Sequence, residues 1–518
     1  MSVDEQDITA NLQNAPVLVV GAGIMGAGIA QVAAAAGHNV FLFDLREGAA
    51  LAALNKLRAT LAGLVAKGKL TDETAQATLS RIQPVATLQA AATARLVVEA
   101  IVENLSAKRS LFKQLEDVLG VDAVLATNTS SISVTALANG LQHPQRLVGM
   151  HFFNPVPLMK LVEVVSGLQT APAVAQAIFE LSKAWGKVPV HAKSTPGFIV
   201  NRIARPYYAE SLALLQEQAA TPQVLDAALK AAGFRMGPCE LMDLIGHDTN
   251  LAVTQSVFEA NFFDKRYGPS LLQREMVDGG LLGRKSGHGF YRYPEGGSAG
   301  PVAVHPAPAS AREVTVTGRG PVADLLEQAA TRALADQGWG PARRLDSAWT
   351  GVQIDAAFLL LTDGRTATQV AAAMGHPDVA VFDRPIVLPA APGTALAFAL
   401  SSSCSASWAA QAPAWLAALG FTPLRVADSP GLVVARSVAM LINEAADAVL
   451  QGVCTEAGAD SAMKLGLNYP AGPFEFLQAW SVAEVLALLD TLDQHYRGER
   501  YRASPWLRCR QHTERTST

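Results

Sequence analysis

Glu163 follows His151 by twelve positions in the run His151-Phe-Phe-Asn154-Pro-Val-Pro-Leu-Met-Lys-Leu-Val-Glu163, and the hydroxyl-rich turn Thr127-Asn128-Thr-Ser130-Ser131 stands just upstream. A neutral imidazole can take a hydroxyl proton near pH 7, and a carboxylate behind it fixes its tautomer and stabilises its charged form. Each piece alone has a plain structural reading: the turn as a helix N-cap cluster, the histidine as a satisfied core residue. Together, at strand carboxyl ends where open α/β sheets bind ligands, they could remove the proton of an alcohol if a hydride acceptor lay beside them.

The stretch Val17–Asp44, VLVVGAGIMGAGIAQVAAAAGHNVFLFD, supplies the place for that acceptor. It reads as strand, tight turn, helix, strand, acid. Gly21, Gly23 and Gly26 have separate tasks: the turn, close backbone approach to a pyrophosphate, and tight helix-to-strand packing, with Ile24 and Met25 opening the helix whose N-terminus faces the phosphates. Asp44 follows Gly23 by 21 residues, the spacing at which a carboxylate binds ribose hydroxyls and repels a 2′-phosphate, so NAD is favoured over NADP. Arg46, close by, weakens that preference slightly.

With 518 residues, 50% of them hydrophobic, the chain suffices for three or four domains. A formal charge of −4, from 41 basic and 45 acidic residues, gives no electrostatic case for nucleic acid or an anionic membrane. Cys239, Cys404, Cys454 and Cys509 are scattered, which suggests neither a disulfide framework nor a metal site and fits a reducing cytoplasm. The polar N-terminus lacks a signal-type apolar core, and no uninterrupted apolar run reaches the length of a membrane span.

Apolar positions from Leu51 to Val65 recur at helical spacing, and Thr71 is an N-cap candidate, so residues 47–80 are expected to form a two-helix arm. Strands expected at Leu96–Val98 and Ala123–Ala126, with a helix around Ser106–Leu119 between them, argue for a parallel sheet wound on both faces. A long helix is expected over Phe198–Leu215, with Asn201 one turn in.

The motifs GAGIMGAGIA, VVEAIVEN, TNTSS, HFFNPVPLMKLVE, STPGFIVNR and GRKSGHGFY, in this order over about residues 15–293, resemble the 3-hydroxyacyl-CoA dehydrogenase family. The resemblance implies NAD as cofactor, an acyl-CoA substrate, His151 as general base or acid and Glu163 as its partner. Ser130 and Asn201 would hydrogen-bond the reacting oxygen. It further implies Glu103, Lys108, Asn128, Ser130, Asn154 and Lys285 near the cofactor, and Lys56, in the helical arm, near the coenzyme A phosphates; a solvated helix face is the plain reading of Lys56 and Lys108.

Beyond a Pro/Gly-rich linker, the chain repeats itself. Asp428-Ser-Pro-Gly-Leu-Val-Val-Ala435-Arg436 stands 234 residues after Ser194-Thr-Pro-Gly-Phe-Ile-Val-Asn201-Arg202, and Gly472-Pro-Phe-Glu-Phe stands 235 after Gly237-Pro-Cys-Glu-Leu. The expected organisation is a Rossmann-type NAD domain (1–193), a helical domain (194–293), a linker (294–311), a degenerate α/β spacer (312–427) and a second helical domain (428–518). Ala435 replaces Asn201, so the second copy should be catalytically silent. Pro321 after Gly318 and Gly320 removes a backbone NH where a phosphate would want one, and Val352–Leu361 and Ala380–Leu388 are strand candidates. This layout resembles the longer bacterial family members associated with phenylacetate catabolism. The two helical copies are expected to pair within the chain, with further self-association open. The alternatives are a dehydrogenase of free or phosphorylated hydroxy acids, which Lys56 and the arm argue against, and a non-catalytic homologue, which the intact Ser130, His151, Glu163 and Asn201 argue against.

Overall fold

The computed structural model describes residues 8, 10–294, 309–386 and 390–516. Most of the linker expected at 294–311 and the end of the strand expected at 380–388 lie outside them. The chain forms two compact units, one of Met1–Arg202 with Ala448–Leu467, the other of Ile203–Asp447 with Asn468–Thr518.

In the first unit, β1 (Val17–Val20), β2 (Val40–Phe43), β3 (Ile82–Pro84), β4 (Leu96–Glu99), β5 (Val124–Thr127), β6 (Leu147–Phe152), β7 (Leu161–Ser166) and β8 (Val188–Lys193) make one sheet ordered β3-β2-β1-β4-β5-β6-β7-β8. β1 and β4 to β6 are buried at every residue, as strands covered on both faces require. The sheet departs from the all-parallel expectation at one place, because β7 runs antiparallel to β6. The helix Ile24–Ala35 packs Ile29, Ala30, Ala33 and Ala34 into the core beneath β1 and β2. The arm is a helical pair, Ala49–Ala66 and Asp72–Ser80, the second capped by the Thr71 side chain. Among the described residues Ala49–Ala66 is the one helix long and apolar enough to cross a membrane by length and composition. It is nonetheless two-faced: Leu54, Leu57 and Leu61 are buried, while Asn55, Lys56 and Arg58 are exposed.

The long helix expected over 198–215 is broken in two, Val200–Ile203 and Arg205–Gln216. Pro206 cannot donate to the carbonyl of Arg202, so the helix is interrupted at Ala204. Asn201 is therefore in the first turn of a short helix, since Phe198 sits in the left-handed region at φ 46° and cannot start it earlier.

The second unit carries a seven-stranded sheet, β9 (Val314–Thr317), β10 (Ala342–Arg344), β11 (Gly351–Ile354), β12 (Ala357–Leu361), β13 (Val379–Phe382), β14 (Thr394–Leu400) and β15 (Phe421–Arg425), ordered β10-β9-β11-β12-β13-β14-β15. The single strand expected at 352–361 is a hairpin, β11 and β12, turned at Asp355 with φ 51°. The helices around Arg205–Gln216 and Val434–Leu450 meet in this unit through charge: Arg436 binds Glu210 at 2.7 Å and Glu217 at 3.1 Å, and Tyr501 binds Glu210 at 3.0 Å. Glu444, 234 residues after Glu210, is held the same way by Arg266 and by Tyr267 at 2.6 Å.

Candidate active site

Antiparallel pairing of β6 and β7 sets His151 directly across from Glu163, and His151 Nδ1 meets Glu163 Oε2 at 2.6 Å. Both are buried, at 6% and 1% exposure. The other carboxylate oxygen, Oε1, accepts the backbone N–H groups of Ile199 at 2.9 Å and Val200 at 3.0 Å. Those donors open the helix that bears Asn201, and the left-handed pair Gly197 (φ 77°) and Phe198 (φ 46°) turns the chain into it. A left-handed phenylalanine costs on the order of 1–3 kcal/mol; its ring is placed edge-on against His151, with Phe153 on another side. With one oxygen used by the helix and the other by the imidazole, Glu163 holds His151 with Nδ1–H donated inward, which leaves Nε2 as the proton acceptor.

The turn after β5 is held by Glu103, which is tied through buried Lys108 to buried Glu99. Glu103 Oε1 accepts Thr129 Oγ1 at 2.6 Å and the N–H groups of Ser130 at 2.9 Å and Ser131 at 3.1 Å. Lys108, 1% exposed, bridges Glu103 at 3.2 Å and Glu99 at 2.6 Å. Burial by itself would raise the Glu103 carboxyl, but Lys108 and the donors from Thr129 and Ser130 hold it below the usual carboxylate range. Asn128 Oδ1 accepts the N–H of Phe152 at 2.8 Å, tying the turn to the residue after His151. Ser130 thus has a fixed backbone and is half-buried. Glu99, which also accepts Thr127 Oγ1 at 2.7 Å, escaped the sequence reasoning. The one signal for it was an acid closing an otherwise apolar strand.

The glycine turn fits a dinucleotide. A Cβ on Gly21 would lie 2.5 Å from the Ala100 carbonyl oxygen, and one on Gly26 would lie 1.7 Å from that of Gly21, whereas the space at Gly23 is open. Ile24 projects with 74% exposure, and Met25 is half-buried. Asp44 at the end of β2 accepts the N–H of Ala22 at 2.8 Å and pairs with Arg46 at 3.0 Å; Arg46 foremost, against some desolvation, holds its carboxyl at about 2. Asn154 is exposed on the loop after β6, and Lys56 on the arm. Lys285 belongs to the second unit, paired there with Asp248.

Comparison with known proteins gives this arrangement its class. The 3-hydroxyacyl-CoA dehydrogenase NAD-binding domain matches residues 16–195, and the C-terminal domain of the same enzymes matches residues 197–293 and 431–517. A 3-hydroxybutyryl-CoA dehydrogenase reduced Rossmann-fold domain matches residues 359–430. The chain belongs to the 3-hydroxyacyl-CoA dehydrogenase family. It is similar over nearly its whole length to the 3-hydroxyadipyl-CoA dehydrogenase of Escherichia coli (strain K12), at 44% identity over 95% of this chain and 97% of that one. The crystal structure of a 3-hydroxybutyryl-CoA dehydrogenase from Escherichia coli K12 superposes with a TM-score of 0.88 at 42% identity, covering 98% of this chain and all of that one. The human mitochondrial hydroxyacyl-coenzyme A dehydrogenase matches at 42% over 54% of this chain and 90% of its own length. The chain is an NAD-dependent enzyme that oxidises 3-hydroxyacyl-CoA.

Proposed function

We propose that the substrate is an (S)-3-hydroxyacyl-CoA of the 3-hydroxybutyryl or 3-hydroxyadipyl type, oxidised to the 3-oxoacyl-CoA with His151 as general base. The observation that carries it is the buried His151–Glu163 pair at 2.6 Å, backed by two backbone donors on Glu163. Nε2 of His151 takes the proton of the 3-hydroxyl as the C3–H bond breaks, and the imidazolium so formed is stabilised by Glu163. NAD, when bound, accepts the hydride. Ser130 and Asn201 orient the reacting oxygen, and Gly21, Gly23, Gly26 and Asp44 hold the dinucleotide, with Glu103, Lys108, Asn128, Asn154 and Lys285 around its nicotinamide end. Lys56 meets the coenzyme A phosphates. Of the two acyl types, the full-length likeness to a 3-hydroxyadipyl-CoA dehydrogenase favours the dicarboxylic one.

NADH absorbance with 3-hydroxyadipyl-CoA, 3-hydroxybutyryl-CoA and free 3-hydroxybutyrate tests this. Turnover of the thioesters alone is expected, with the higher kcat/KM for the adipyl ester. Equal turnover of the free acid would sink the thioester reading. We also infer that the two helical copies pair within the chain, supported by the matched grips on Glu210 and Glu444. A cytoplasmic setting is supported by four cysteines in the free thiol form.

A further inference from the structure

Residues Ala448–Leu467 lie in the second helical repeat, yet they pack with the first unit, where the helix Glu456–Leu467 lies on β7 and β8. Three contacts fasten this segment behind the catalytic pair. Val453 O accepts the N–H of Lys193 at 2.9 Å, Gln451 accepts from Arg202 Nη1 at 2.8 Å, and Gly466 is where the helix comes closest. A Cβ on Gly466 would stand 2.8 Å from Leu161 Cδ2 and 3.1 Å from Val200 Cγ2. Neither neighbour is incidental. Leu161 is fully buried two residues before Glu163 on the same strand, and the N–H of Val200 is one of the two donors on Glu163 Oε1.

We propose that Gly466 is a positioning residue for the His151–Glu163 pair. Gly466 lets the second repeat close on Leu161 and Val200, so that both backbone donors stay on Glu163. The repeat that lost its own chemistry thereby completes the surroundings of the pair that kept it. This inference rests on reading His151 as the base.

The test uses the full chain. Gly466→Val should lower kcat about ten- to a hundred-fold, as displacement of reacting groups does, with the NAD dissociation constant within about twofold of wild type; adding Leu161→Ala should recover part of the loss. An unchanged kcat in Gly466→Val, or a parallel loss of NAD affinity and melting temperature with no recovery by Leu161→Ala, would overturn the proposal. His151→Asn run alongside separates its failure from that of the base assignment, because full activity in that variant overturns the base assignment instead.

Discussion

Two sheets in this chain reach the same place with different residues. β7 aligns Glu163 with Val190 of β8, and β14 aligns Ala397 with Leu424 of β15, which is Val190 moved on by the repeat offset of 234. Across from Glu163 stands His151; across from Ala397 stands Asp383, whose N–H donates to the Ala397 carbonyl at 2.8 Å. The second copy thus has Asp in the histidine's place and Ala in the glutamate's. Asp383 nevertheless accepts the N–H groups of Val433 at 2.9 Å, Val434 at 2.7 Å and Ala435 at 2.9 Å, the task that Glu163 performs for Ile199 and Val200. Leu432 repeats the left-handed backbone of Phe198 at φ 53°.

The comparison separates what the fold demands from what the chemistry demands. A buried helix start needs an acceptor for its free N–H groups in either copy, and a carboxylate from either neighbouring strand can supply it. The proposed reaction needs more: an oxygen left over to hold an imidazole. Glu163 has one; Asp383 spends one oxygen on Val433 and Val434 and the other on Ala435 and Arg384.

The largest way to break this contrast is at the histidine. His151→Asn should cut kcat about 10²–10⁴-fold, the range for loss of a general base, with NAD affinity near wild type. Asp383→Asn, at the matching register position, should leave kcat within about twofold. Steady-state kinetics on both decides it, and near-full activity in His151→Asn removes that residue from the mechanism. Next in size is the amide that the second copy lacks. Asn201→Ala makes the first copy like the second and should cost about 10²–10³ in kcat, as removal of one donor to a reacting oxygen does. Ala435→Asn should create no second activity, because no imidazole faces it; burst titration showing two active sites per chain would contradict that.

The dinucleotide turn gives a smaller effect. Asp44→Ala should weaken NAD about tenfold and narrow the preference over NADP, the scale of losing hydrogen bonds to a charged group. Calorimetric titration should find one NAD per chain before and after, since the matching turn in the second copy, Gly318-Arg-Gly320-Pro321, opens its helix with a proline. Unchanged NAD affinity would mean that Asp44 does not reach the ribose.

Much of this was legible from residue spacing, because short-range chemistry sets it. Gly21, Gly23, Gly26 and Asp44 form a local strand-turn-helix-strand pattern, and the arm's Thr71 cap acts over three residues. The repeat at a constant offset announced the second copy and its missing amide. What stayed hidden depends on pairing between distant segments. The antiparallel turn of β7 that faces His151 with Glu163, the hairpin at Asp355 and the Glu99–Lys108 pair are matters of register and burial, which a linear pattern of apolar residues does not fix. Pro206 was a readable break that the apolar run on either side of it masked. The packing of Ala448–Leu467 with the first unit has no sequence signal, since the helix Val434–Leu450 runs on through the division.

The smallest expected effect concerns stability and comes from Asp383 itself. Burial, outweighing its backbone donors, pushes the Asp383 carboxyl up to about 6 from its ordinary value of 3.8. A carboxyl whose folded value lies above its unfolded one binds a proton more readily in the folded chain, so the fold is favoured at low pH and loses that advantage as pH rises from about 4 to about 6. The difference is on the order of 3 kcal/mol at most, and it is constant at higher pH, where activity is measured. Melting curves from pH 4 to 7 should therefore show the wild type losing stability across this window relative to Asp383→Asn, which has no proton to release. If the two proteins keep a fixed gap from pH 4 to 7, Asp383 is ionised throughout, its backbone donors outweigh its burial, and the second copy holds its helix start with a full negative charge.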